Sequence, residues 1–109
     1  MEEEILLLDS GTDAKKLFPE GKIRQFKIGV RRVAVILAKD RFIAFDNQCP
    51  HSGYPLDEGH INFENELICP LHSYVFNLDT GEETSSRCKN LHFYQVKLNK
   101  NGDLMLYIN

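Results

Sequence analysis

Cys49-Pro50-His51 and, after seventeen intervening residues, Cys69-Pro70-Leu71-His72 decide how this chain is to be read. Each stretch offers one thiol and one imidazole, with a proline behind the cysteine to stiffen the turn. Cys49, His51, Cys69 and His72 are therefore the candidate ligands, two from each stretch. Tetrahedral Cys₂His₂ zinc is one chemistry open to such a set. Zinc motifs usually pair like with like, cysteine with cysteine and histidine with histidine, whereas here each stretch mixes them.

The segments on either side read as strands. Val33 to Ala38 is β-branched and continuously apolar, which predicts a strand buried on both faces. Lys39-Asp40 is a two-residue hairpin tip, and Arg41 to Phe45 returns antiparallel. Asn47 to Glu58, with Pro50, Gly53, Pro55 and Asp57, is a loop by its turn chemistry. Ile61, Phe63, Leu67 and Ile68 predict a second hairpin with Glu64-Asn65 near its turn, delivering Cys69. Tyr74 to Phe76 return as a short strand that ends at Asp79-Thr80-Gly81.

Further out, Ile5 to Leu8 is a strand closed by Asp9-Ser10-Gly11. Asp13 to Phe18 makes one helical turn stopped by Pro19. Lys22 to Ile28 is a strand with Phe26 and Ile28 on one face, and Gly29 turns the chain. Glu82 to Asn90 is polar and irregular. His92 to Leu98 and Leu104 to Ile108 form a hairpin through Asn99–Asp103, where Asn101-Gly102 suits a positive φ. The pattern predicts an all-β protein, an antiparallel sandwich or barrel of short strands. Residues 1–109 form one domain, with a small subdomain at about 46–81 formed by the two hairpin loops.

With 109 residues, 42% of them apolar and 27% charged, the chain reads as soluble. Thirteen Lys and Arg against sixteen Asp and Glu give a net charge of −3, and no basic run or interleaved aromatic stripe marks a nucleic-acid surface. Met1-Glu2-Glu3-Glu4 has the wrong sign for a signal peptide, and Ile5 to Leu8 is too short to span a membrane. Three cysteines without a signal do not make a disulfide framework. A cytoplasmic protein with no membrane and no nucleic-acid partner is expected.

The pattern Cys-x-His, seventeen residues, Cys-x-x-His resembles the signature of the Rieske [2Fe-2S] family, in which two cysteines hold one iron and two histidines the other. The likeness is closest from about Val33 to Gly81. It implies a Rieske-type fold and one cluster per chain, held by Cys49, Cys69, His51 and His72. The function implied is that of a soluble ferredoxin, carrying one electron at a time from a flavin reductase to a terminal oxygenase or similar redox enzyme. The oxygenases of the family add a long catalytic domain, and this chain stops at Asn109, so a carrier and not an enzyme is expected. Two alternatives stand beside it. One is the small subunit of an assimilatory NAD(P)H nitrite reductase, partnered by its large subunit. The other is a zinc-stapled interaction module.

High-potential members carry an extra cysteine in each loop, and a serine and a tyrosine that donate to the cluster. Those positions are Tyr54, Leu71, Tyr74 and Phe76 here, and Ser73 replaces the usual glycine. The resemblance thus implies a low-potential centre. Tyr54, Pro55 and Leu71 are expected to form an apolar rim around the histidines. Gly53, Gly59 and Gly81 are expected to serve backbone geometry. Cys88 reads as a half-buried free thiol, His60 and His92 as solvent-facing or otherwise satisfied, and Asp57 and Glu58 as solvated charges.

Overall fold

The structure, a computed structural model, describes residues 3–9, 11, 18–19, 21–38, 41–71 and 73–108. Among these it forms nine strands: β1 (Glu3–Leu8), β2 (Ile23–Ile28), β3 (Arg31–Ala38), β4 (Arg41–Asp46), β5 (His60–Ile61), β6 (Glu66–Ile68), β7 (Val75–Asn77), β8 (Phe93–Leu98) and β9 (Leu104–Ile108). A 3₁₀ turn covers Leu56–Glu58. Six strands make an antiparallel sheet in the order β1-β9-β8-β4-β3-β2, and β5-β6-β7 make a separate three-stranded sheet. The chain is all-β and antiparallel, as its alternation of short apolar runs and turn residues predicts.

Strand β3 explains the architecture. Its side chains alternate between two cores with the period of two that a pleated strand imposes. Ala34, Ile36 and Ala38 enter one, and Val33, Val35 and Leu37 enter the other. The second core also holds Leu104, Leu106 and Ile108 of β9, which lies three places away in the sheet order, so the large sheet curls over its own face. The first core joins the opposite face of β3 and β4 to Leu56, Leu67, Phe76 and Leu78 of the insertion. Phe45, Leu67 and Phe76 are fully buried there, and burial of each stabilises by about 1.5–3 kcal/mol. The insertion is thus seated on a rigid sheet.

Strand β2 splits its side chains similarly: Phe26 and Ile28 face the second core, as their spacing predicts, while Ile23 joins the first. Two boundaries differ from expectation. Phe63 belongs to a turn and is 92% exposed. The Asn62 side chain organises that turn by accepting from the N–H groups of Glu64 and Glu66, which makes it more polar than its sequence reads. His92 lies outside β8, with its carbonyl accepting the N–H of Asp46 at 3.0 Å. The expected hairpin tip at Lys39-Asp40 and the central residue of the Asp9-Ser10-Gly11 turn lie outside the described residues. So does the expected helical turn from Asp13, except for Phe18, which is buried. No helix among the described residues is long and apolar enough to cross a membrane.

Candidate metal centre

Both candidate loops leave the sheets at a buried cysteine and are closed by the same backbone bond. The N–H of Cys49 donates to the Tyr54 carbonyl at 2.9 Å, and the N–H of Cys69 donates to the Tyr74 carbonyl at 2.8 Å. In each loop the residue four places after the cysteine takes a left-handed conformation, Gly53 at φ 78° and Ser73 at φ 53°. In the first loop the N–H groups of Ser52 and Gly53 also converge on the Cys49 carbonyl. The repeated geometry turns the two cysteines toward one another. Their thiols come within hydrogen-bonding reach, and both cysteines are free. Burial pushes the Cys69 thiol up to about 11, a backbone hydrogen bond from Leu71 works against that rise, and the Cys49 thiol adds to it.

His51 is half-buried, with its Nδ1 turned out of contact with solvent. Its ring stacks on Tyr74 of the second loop, with centroids 3.8 Å apart and planes 11° from parallel. The Arg87 guanidinium carbon lies 3.7 Å from the same Tyr74 centroid. Arg87 is in turn forked onto Glu83, with Nε to Oε1 at 3.2 Å and Nη2 to Oε2 at 3.1 Å. Glu83 is fully buried and also accepts from the N–H groups of Val75, Ser85 and Arg87. Hydrogen bonds from the Arg87 side chain, outweighing burial, hold its carboxyl well down, at about 2.

The first loop has a different anchor. Asn47, buried just before it, donates to Gln25 Oε1 at 2.6 Å and to Asp57 Oδ1 at 2.8 Å, and accepts the Asp57 N–H at 2.7 Å. Gly59 follows, where a Cβ would come within 2.2 Å of the Ile68 carbonyl oxygen. Glycine at that position therefore lets the chain pass close against β6.

The profile of the Rieske [2Fe-2S] domain matches residues 12–95. The chain belongs to the Rieske [2Fe-2S] domain family. Among curated relatives, the Rieske chain is 33% identical over 81 residues to apoptosis-inducing factor 3 of Mus musculus and Homo sapiens, spanning 73% of itself and 13% of them. It is also 33% identical over 63 residues to the ferredoxin component of the alkene monooxygenase system of Xanthobacter autotrophicus, spanning 58% of itself and 52% of that protein. The chain thus spans about half or less of the length of these relatives. The ferredoxin of carbazole 1,9a-dioxygenase from Nocardioides aromaticivorans shares the fold at a TM-score of 0.78 and 23% identity, covering 94% of this chain and 95% of that one. A candidate NADH-dependent nitrite reductase small subunit from Mycobacterium tuberculosis does so at 0.82 and 15%, covering 100% and 97%.

The cofactor of this Rieske domain is a [2Fe-2S] cluster, and the donor set fits it. Two deprotonated sulfurs in an apolar setting would repel, and an iron held by both would neutralise that charge. The inward-facing Nδ1 of His51 places an imidazole nitrogen on the same loop as Cys49. Among the described residues, no three His, Cys, Asp or Glu side chains gather as they would around a single ion. His72 lies outside the described residues. The zinc-stapled alternative loses its ground with the family assignment.

The remaining expectations divide. Cys88 is a half-buried free thiol packed on the first core, with its own proton loss made harder by burial. His60 and His92 are exposed. Tyr54 and Leu71 are partly buried and pack against the first core beside the cysteines. Asp57 is not a solvated charge, because its N–H and carboxylate both serve Asn47, whereas Glu58 is exposed. The polar segment after Gly81 holds the buried Glu83, which sequence reading passed over. Glu83 and Arg87, four residues apart, were the available signal, but nothing in their spacing places them under Tyr74.

Proposed function

We propose that this Rieske domain is a one-electron carrier, with Cys49 and Cys69 on one iron and His51 and His72 on the other. The observation that carries the reading is the approach of the Cys49 and Cys69 thiols from two loops of matching backbone. When bound, the cluster supplies a one-electron couple, at about −150 to +300 mV for this cluster type. The protein surrounds the sulfurs with apolar side chains and holds them out of water. His51, half-exposed with Nδ1 inward, leaves the other edge of its ring nearer the surface, where a redox partner docks.

In this reading residues 1–109 act as one domain in the cytoplasm and perform no catalysis of their own. A flavin reductase supplies the electron and a terminal oxygenase takes it, in line with the likeness to an alkene monooxygenase ferredoxin component. Tyr54 and Leu71, which bring no extra disulfide, and Phe76, which brings no hydroxyl where the high-potential members have a donating tyrosine, favour the low end of the potential range.

The test is anaerobic purification with iron and zinc quantified, followed by a reductive titration under optical and EPR observation. Two irons, one electron per chain and a rhombic signal on reduction are expected. A colourless zinc protein, or a protein that takes up no electron after cluster reconstitution, overturns the reading. A large flavin- and haem-containing subunit that stays bound through purification would move the partner assignment to nitrite reductase.

A further inference from the structure

We propose that Glu83, Arg87 and Tyr74 form a positioning column that fixes the plane of the His51 ring. The inference rests on the reading of His51 as a cluster ligand. The His51 ring and the Arg87 guanidinium both lie within 4 Å of the Tyr74 centroid, at 3.8 and 3.7 Å. Two planar groups that close cannot share one face of a ring, so they occupy opposite faces and Tyr74 is sandwiched between them. The order is imidazole, phenol ring, guanidinium, carboxylate.

The base of the column is the best-held part of it. Burying the Glu83 carboxylate is costly unless its oxygens are satisfied. They accept three backbone N–H groups and both arms of the Arg87 fork. A two-point fork sets the plane of the guanidinium as well as its position. That plane sets Tyr74, and Tyr74 sets His51.

Tyr74 also ties the two loops together. Its carbonyl accepts the Cys69 N–H at 2.8 Å while its ring covers His51 of the other loop. One residue thereby couples a thiolate ligand of one loop to an imidazole ligand of the other. With Glu83 beside it, the Arg87 charge is largely compensated, so the column acts through geometry and not as a bare cation.

The test uses the cluster-loaded full chain and two readouts: the EPR g-values after reduction, and the rate of cluster bleaching by an iron chelator at fixed pH. Tyr74→Phe keeps the stack and is expected to match the parent in both. Tyr74→Leu and Arg87→Lys, which remove a plane, are expected to shift and broaden the g-values. Both should bleach about tenfold faster, the scale of one stacked cation–π contact. Glu83→Gln/Arg87→Met removes the column base without leaving a bare carboxylate, and keeps the question open to test should Tyr74→Leu fail to fold. Tyr74→Leu or the double variant matching Tyr74→Phe in both readouts overturns the column. His51→Ala separates the two layers of inference. If it loads a cluster with unchanged g-values, His51 is not a ligand and the underlying reading fails. If it abolishes the Rieske signal while the column variants change nothing, only the column fails.

Discussion

In the first loop the Cys49 N–H meets the Tyr54 carbonyl and Gly53 takes the left-handed position; in the second the Cys69 N–H meets the Tyr74 carbonyl and Ser73 takes it. Behind this common backbone the supports differ in kind. The first loop hangs on the neutral amide of Asn47, which joins Gln25 in β2 to Asp57 beyond the loop. The second is backed by a buried carboxylate and its guanidinium, with Glu83 reaching Val75 immediately after the loop. A loop that presents a metal ligand must be held rigidly, and each does so by satisfying polar groups that are out of water. The lesson is that a matching loop backbone does not require matching anchors, so the loops should answer differently to mutation and to pH.

The largest effect tests the part they share. Cys49→Ser and Cys69→Ser should each abolish cluster binding, measured as iron per chain after anaerobic reconstitution. His51→Cys should lower the reduction potential or lose the cluster, because a thiolate adds negative charge where a neutral ring stood. Full iron content and an unchanged potential in any one of them would break the equivalence of the loops.

Next come the anchors. Asn47→Ala removes the partners of the Asp57 N–H and carboxylate, and should cost about 2 kcal/mol in denaturant unfolding. Loss of hydrogen-exchange protection should be greatest at Asp57. Glu83→Gln should cost about 2 kcal/mol as well, with protection lost at Val75, Ser85 and Arg87 instead. Both variants loosening the same loop would mean that the supports are not separate.

The pH response follows from the second anchor. The Glu83 carboxyl titrates at about 2 in the folded protein against 4.5 ordinarily, chiefly through the Arg87 side-chain hydrogen bonds. A depressed folded value means that the unfolded chain binds the proton first as pH falls. The stabilisation is therefore complete above 4.5 and is lost on acidification toward 2. Parent and Asn47→Ala should share this slope of unfolding free energy against pH, and Glu83→Gln should lack it. An undiminished slope in Glu83→Gln would assign the acid response to another group.

How much of this was legible in the chain depends on the range of the interaction. Val33 to Ala38 announces a strand buried on both faces because its run of apolar residues has no polar alternation, and the two cores of β3 bear that out. The two loops that start at Cys49 and Cys69 were visible because the turn chemistry of each Cys-Pro stretch is local. The anchors were not. Asn47 and Asp57 look like ordinary loop polars until the fold brings Gln25 beside them, and Phe63 looks like core until Asn62 bends its segment into a turn. Tyr74 stands at the position of a donating serine, yet it is the face of its ring that meets His51. Orientation of this kind belongs to packing between segments, which periodicity does not encode.

The smallest effect probes the residue that each loop sets in the left-handed position, Gly53 in the first and Ser73 in the second. A Cβ on Gly53 would meet nothing within 4 Å, so Gly53→Ser is a test of left-handed strain alone. It should cost about 1 kcal/mol. Ser73→Gly relieves the same strain in the second loop, offset in part by the greater freedom glycine has when unfolded, for a net gain of about 0.5 kcal/mol. Were the loops independent, the double exchange would sum the two within about 0.3–0.5 kcal/mol, as distant sites do. The His51–Tyr74 stack joins them directly, one residue from Ser73 and two from Gly53. An interaction energy above about 0.5 kcal/mol is therefore expected in the double-mutant cycle, and it should shrink when the cycle is repeated on a Tyr74→Leu background. Simple additivity in the parent background would mean that the stack transmits nothing between the loops, however closely the rings lie.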